Sequence, residues 1–179
     1  NLKIKNKILI KKYNEVYTFL LNKMFLHEDC LEFTDEFLFI NGSHISKFAT
    51  IDESATIQKN CIIGRGVQIG KNVVIGDGVE IRCKDRVFIG DNSVLTKDIK
   101  INCTSFEAGE YLYMTDRCEV GRGGCYGPNS TVKIGNYVGI FEGTVINPSE
   151  SVEIGDHTGI GGDVMIWTHG AWLDVLQGF

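Results

Sequence analysis

The sequence is poor in proline and histidine, with 2 Pro and 4 His in 179 residues, and it has no long apolar run and no C-x-x-C pair. Each shortage excludes something. A membrane-spanning helix needs about 20 consecutive apolar residues, and no run here approaches that, so no membrane span is expected. Lys and Arg number 18 against 23 Asp and Glu, the signs are interspersed and the formal net charge is -5. Nucleic-acid binding leaves a basic patch or stripe, so no nucleic-acid partner is expected. Cys30, Cys61, Cys83, Cys103, Cys118 and Cys125 lack the paired spacing of a zinc site. They read as buried thiols serving as small hydrophobes, which points to a reducing cytoplasm and to no metal. The opening residues are Lys-rich and then partly apolar. However, Lys23 interrupts the apolar part and no small-residue cleavage site follows, so the stretch is not read as a secretory signal. The chain opens on Asn1 and stops at Phe179 within a pattern, as a segment of a longer protein would.

Glycine is plentiful, at 21 residues, and it is periodic. From Ala49 to Ile81 the chain repeats in sixes: Ile51, Ile57, Ile63, Ile69, Ile75 and Ile81 are evenly spaced, each preceded two places earlier by Ala49, Ala55, Cys61, Val67, Val73 or Val79. Gly64, Gly70 and Gly76 follow three of the isoleucines. Six is not a helical period and is too long for simple alternation. It describes a short strand and a tight corner, with one aliphatic side chain per unit pointing inward. Gly, Asn or Asp takes the positive φ of the corner that bulkier residues resist. Such a repeat marks a parallel β-helix, in which each unit buries its apolar face only against its neighbours.

Extended along the chain, the inward positions fall in groups of three: 51-57-63, 69-75-81, 89-95-101, 114-120-126, 134-140-146 and 154-160-166. The longer steps lie between groups, so three hexads make one coil of a triangular prism and the extra residues collect at one corner. The expected fold is all-β, a prism of about six coils over residues 49–179. The step from Ile101 to Met114 leaves residues 102–113 as an expected projecting loop. Loops on rigid scaffolds often carry function. Residues 1–48 read as a small N-terminal cap. Tyr13, Val16, Tyr17, Leu20, Leu21 and Met24 have the spacing of an amphipathic helix. Phe37–Ile40, Asn41-Gly42 and Ser43–Ile45 have that of a tight hairpin.

The hexads resemble those of the bacterial hexapeptide-repeat acyltransferases, which implies a left-handed parallel β-helix. The segment VEIGDHTGIGGDVMIWTHGAWLD, Val152 to Asp174, looks like the part of the maltose and galactoside O-acetyltransferases where V-x-IGD-x-x-x-IG-x-x-V-x-I precedes a Thr and the catalytic His. His169 matches that histidine. It comes directly after Thr168, slightly earlier than in those enzymes, and no His-Pro pair follows. The resemblance implies transfer of an acyl group, expected to be acetyl, from acetyl-CoA as donor substrate. The acceptor would be a hydroxyl or amine of a sugar-type molecule, as in polysaccharide biosynthesis, and the sites would lie between subunits of a homotrimer. The chemistry fits: a thioester is already activated, so transfer needs a base of near-neutral pKa rather than an enzyme nucleophile, and imidazole supplies one. Gly161-Gly162 would offer backbone amides to the oxyanion.

Glu142, Trp167 and Asp174 are the expected substrate-binding residues, with Trp172 beside them. Glu150 is a candidate to orient His169, because residues 147–150 fall one coil below 167–170. His157 reads as a corner residue. A non-catalytic trimeric scaffold is the alternative. A γ-type carbonic anhydrase on the same solenoid would need three zinc-binding histidines, and residues 49–179 hold only His157 and His169.

Overall fold

A computed structural model of the chain describes residues 36–122 and 127–169. Every regular element among them is a β-strand, and none of them forms a helix long and apolar enough to cross a membrane. The expected N-terminal helix, Cys30 and Cys125 lie outside the described residues.

The strands make three parallel sheets, one per face of a prism. The first face stacks Thr50–Ile51, Val67–Ile69, Arg86–Ile89, Ser105–Ala108, Thr131–Ile134 and Val152–Ile154. The second stacks Thr56–Ile57, Val74–Ile75, Val94–Leu95, Tyr113–Met114, Gly139–Ile140 and Gly159–Ile160. The third stacks Ser43–Ser46, Ile62–Ile63, Glu80–Ile81, Lys100–Ile101, Glu119–Val120, Val145–Asn147 and Met165–Trp167. Six left-handed coils result. Strands of two to four residues carry little of the twist that favours right-handed crossovers. The hairpin joins the third face: Phe37–Ile40 pairs antiparallel with Ser43–Ser46, which pairs in parallel with Ile62–Ile63. Its turn residues Asn41 and Gly42 have φ of 49° and 84°, the left-handed pair that matches strand twist.

The inward residues form vertical files. Ile63, Ile81, Ile101, Val120, Ile146 and Ile166 are in register one above the next on the third face. Those of the middle coils are buried, and Ile51, Ile57, Ile154, Ile160 and Ile166 of the end coils pack against them partly covered. Cys61 and Cys118 sit in inward slots as fully buried free thiols, and burial pushes both thiols up from the ordinary range. At the corners, Asn60, Asn72, Asn92, Asp98 and Asp163 take positive φ as expected, but so do Tyr111, Arg117, Tyr137 and His157. Stacking compensates the aromatic ones: the rings of Tyr111 and Tyr137 lie 4.7 Å apart at 7°, and those of Tyr137 and His157 lie 5.1 Å apart at 9°. A left-handed residue costs about 1–2 kcal/mol and an aromatic pair returns about 0.5–1.5 kcal/mol.

The fourth coil corrects the sequence register. Its inward residues are Ala108, Met114 and Val120, not 114, 120 and 126. Residues 102–113 are therefore not a projecting loop: Ser105–Ala108 is a strand of the first face, paired on both sides. The long insertion lies later, between Val120 and Ile134, at the same corner as every other lengthened step. Tyr126 lies outside the described residues. The physical reason is an exchange of volume. Elsewhere the inward pair is a small residue followed by a large one, as in Val67 and Ile69. Here Phe106 fills the first slot, 0% exposed, and leaves room for only Ala108, 2% exposed, in the second.

Phe106→Ala should therefore destabilise the fold by about 3–5 kcal/mol, and Ala108→Ile should destabilise it by about 1–3 kcal/mol through overpacking. The double variant Phe106→Val with Ala108→Ile should be more stable than the sum of the singles, which a denaturation double-mutant cycle checks. His44 generates a second expectation. It is buried beside the rings of Phe37 and Phe39, with centroids 6.4 and 5.0 Å away. Burial first, and the charge of Arg82 second, hold its imidazole pKa below the usual value. The folded pKa is below the unfolded one of about 6.5, so the stability it supports is complete above that pH. That stability is lost as pH falls through about 6.5 toward the folded value, because the unfolded chain binds the proton first. Urea midpoints measured from about pH 7.5 to about pH 5 should fall in the native chain, and His44→Phe should remove that component.

Candidate functional site

The three corners of the prism carry different chemistry, and the expected site residues are distributed among them. His169 lies where the chain leaves the third face after its last described strand, one coil above residues 147–150. Pairing of Asn147 with Trp167 sets the register, and the Thr168 amide donates to the Asn147 carbonyl at 3.3 Å. The Thr168 hydroxyl donates to that same carbonyl at 3.1 Å and accepts the Glu150 amide at 2.8 Å, which pins the two corners together.

A short chain of hydrogen bonds then fixes the imidazole. Asn147 is 2% exposed, and its Nδ2 donates to the Arg122 carbonyl. Its Oδ1 can only accept, and it takes the Ser149 hydroxyl at 3.1 Å. Ser149 Oγ in turn lies 2.9 Å from His169 Nδ1, a hydrogen bond whose donor depends on the tautomer of the ring. In the tautomer protonated on Nδ1, the ring donates to Ser149 and Nε2 keeps its lone pair. Trp167 meets the ring edge-on, with centroids 5.6 Å apart at 65°. Glu150 does not orient the imidazole. Its Oε2 accepts from Asn129 Nδ2 at 3.1 Å, tying the insertion at this corner to the coil above. Ser149 does the orienting instead. The twenty-residue offset between stacked corners puts position 149 beneath 169, so the signal was present in the register.

Glu142 stands at a different corner, between the second and third faces, where it pairs with Arg117. It lines a cleft of ≈ 470 Å³ with Thr96, Tyr113, Thr115, Asp116 and Phe141. Tyr113 and Phe141 form its aromatic wall, edge to face at 6.4 Å. The Thr96 hydroxyl donates to Asp116, and this bond, helped by Lys97, holds the Asp116 carboxyl below the usual range. Gly162 also lines this cleft, so Gly161-Gly162 belong to the corner of Glu142 rather than that of His169. His157 occupies the third corner, stacked on Tyr137. Trp167 is thus the expected residue that the described structure brings to His169. Trp172 and Asp174 lie outside the described residues. Among the described residues no three His, Cys, Asp or Glu side chains converge as a metal site.

Residues 48–83, the span of the first two coils, match the family model described as bacterial transferase hexapeptide (six repeats). No curated protein sequence matches the chain significantly.

Proposed function

We propose that this hexapeptide-repeat chain, a left-handed β-helix of the bacterial transferase kind, is an acyltransferase in which His169 is the general base. The observation that supports the reading is the Asn147–Ser149–His169 chain of hydrogen bonds on an exposed corner, which engages Nδ1; in the proposed reaction Nδ1 carries the ring proton toward Ser149 and Nε2 is the acceptor.

In the proposed reaction the acceptor is a hydroxyl or amine of a sugar-type molecule and the donor substrate is acetyl-CoA. Nε2 takes the acceptor proton as its oxygen or nitrogen attacks the thioester carbonyl. The tetrahedral oxyanion collapses, the C–S bond breaks, and the leaving thiolate recovers the proton from the imidazolium. Ser149 holds Nδ1–H throughout, so the ring does not turn its protonated nitrogen toward the acceptor. Trp167 offers an apolar wall beside the reacting centre.

Glu142 and His169 stand on separate edges of one chain, so a site using both draws them from two copies. That division supports a homotrimer with sites between prisms, the Glu142 cleft of one copy supplying the acceptor side. The free buried thiols support a reducing, cytoplasmic setting.

His169→Ala should lower kcat/KM for acyl transfer by about 10²–10⁴ with the β-sheet circular dichroism unchanged. Ser149→Ala removes one hydrogen bond of about 0.5–1.5 kcal/mol and should cost about 2–10-fold in kcat, with recovery in Ser149→Thr. Calorimetric titration with acetyl-CoA supplies the independent check. Absence of binding, together with full integrity of the fold, would assign the chain to the scaffold role instead.

A further inference from the structure

The corner that follows the third face carries a pair of groups that the proposed chemistry does not use. Cys83 closes the second coil and Cys103 closes the third, each two residues after an inward isoleucine of the same file, Ile81 and Ile101. Their Sγ atoms are 3.7 Å apart, and neither is held in a disulfide. We infer that Cys83 and Cys103 are a disulfide-forming modification site, a cross-coil staple that a peroxide closes and a thiol reopens.

Geometry is the first support. Stacked coils are separated by the strand spacing of about 4.7–4.9 Å, which falls within the Cα separation a disulfide accepts. The Lys84 amide donates to the Cys103 carbonyl at 3.0 Å, so the two corners are held in register on either side of the pair. Cys103 Sγ also meets the Ser105 carbonyl at 3.3 Å, as Cys61 Sγ meets the Gly76 carbonyl at 3.1 Å and Cys118 Sγ the Phe141 carbonyl at 3.2 Å, so what sets Cys83 and Cys103 apart is the contact between their sulfurs. Among the described residues, Cys83 and Cys103 are the pair in sulfur contact.

Accessibility assigns the order of events. Cys83 is 8% exposed and Cys103 is 0% exposed, so a molecule as small as hydrogen peroxide meets Cys83 first. The Cys83 thiolate attacks one peroxide oxygen, giving the sulfenic acid and hydroxide. Cys103 then attacks the sulfenic sulfur, forming the S–S bond and expelling the second oxygen as hydroxide. The two thiol protons convert both hydroxides to water, and the two electrons lost by the sulfurs reduce the O–O bond. The position of Cys103 gives the staple a structural consequence. The next residue, Thr104, donates its hydroxyl to Gly127 at 2.7 Å and its amide to Ser130 at 2.9 Å, so the bond would form directly beneath the insertion that carries Asn129.

The test uses the full chain treated with hydrogen peroxide, alkylated, and digested without reduction. The expected product is one peptide pair joined through Cys83 and Cys103, two hydrogens lighter than the reduced pair and separated by dithiothreitol. In Cys103→Ser, Cys83 should stop at a sulfenic acid that dimedone captures. The oxidised native chain should melt about 5–10 °C higher than the reduced chain, a rise absent in Cys103→Ser. Full alkylation of both cysteines after peroxide, or joining of either to a different cysteine, would overturn the assignment. A formed bond with no rise in melting temperature would overturn its role as a staple. Acyl transfer by the reduced chain does not enter these readouts, so the inference stands or falls separately from the role of His169.

Discussion

The constraint on which everything else rests is that each inward side chain lies against its counterpart one coil above and one coil below, at the spacing of hydrogen-bonded strands. A coil cannot bury its own apolar face. It has one inward residue and one smaller companion per side, and both must meet equivalents in adjacent coils at about 4.7–4.9 Å. That demand fixes the length of each side at six residues and forces extra residues to one corner. It also makes close approach between coils absolute: a Cβ added to Gly76 would lie 1.6 Å from the Thr96 carbonyl oxygen. The prism is consequently uniform inside and variable only at its edges.

Because the faces are committed to pairing, chemistry is left to the corners. One corner stacks Tyr111, Tyr137 and His157 like plates, and the ring contact offsets a backbone geometry those residues would otherwise avoid. The second gathers acidic and aromatic side chains around a cleft. The remaining corner takes all of the lengthened steps, and there the buried Asn147 lines up with the half-buried Ser149 and the exposed His169. A polar relay of this kind needs a rigid base. Asn147 supplies it because its amide is held by a backbone carbonyl beneath the relay and cannot turn.

Most of the solenoid could be read directly because isoleucine, a large side chain with few alternatives in these slots, marks the register again and again. Reading failed in the fourth coil, where the marker was absent. Ala108 does not announce an inward position, and Phe106 looked like part of a loop. The information was nonetheless local: Gly109-Glu110 after Ala108 repeats the corner of Gly90-Asp91 and Gly135-Asn136. Aliphatic spacing alone misplaces this coil, and the spacing of the corners places it. For the site, the register of the sequence stacks residues 147–149 beneath 167–169 as the structure does, and the serine rather than the neighbouring carboxylate lies directly below the imidazole.

By itself the sequence determined the class of fold, the three-sided coil, the edge that receives insertions and the histidine on that edge, since all of these follow from the spacing of residues along the chain. Tertiary structure alone decided which side chains meet across coils. It gave His169 its partner in Ser149, gave Glu142 to Arg117 on another edge, and brought Cys83 to Cys103. The reason is physical: periodicity constrains the direction in which a side chain leaves the backbone. Which hydrogen bond it makes depends on competing donors and acceptors that are distant in sequence and adjacent only once the coils are stacked.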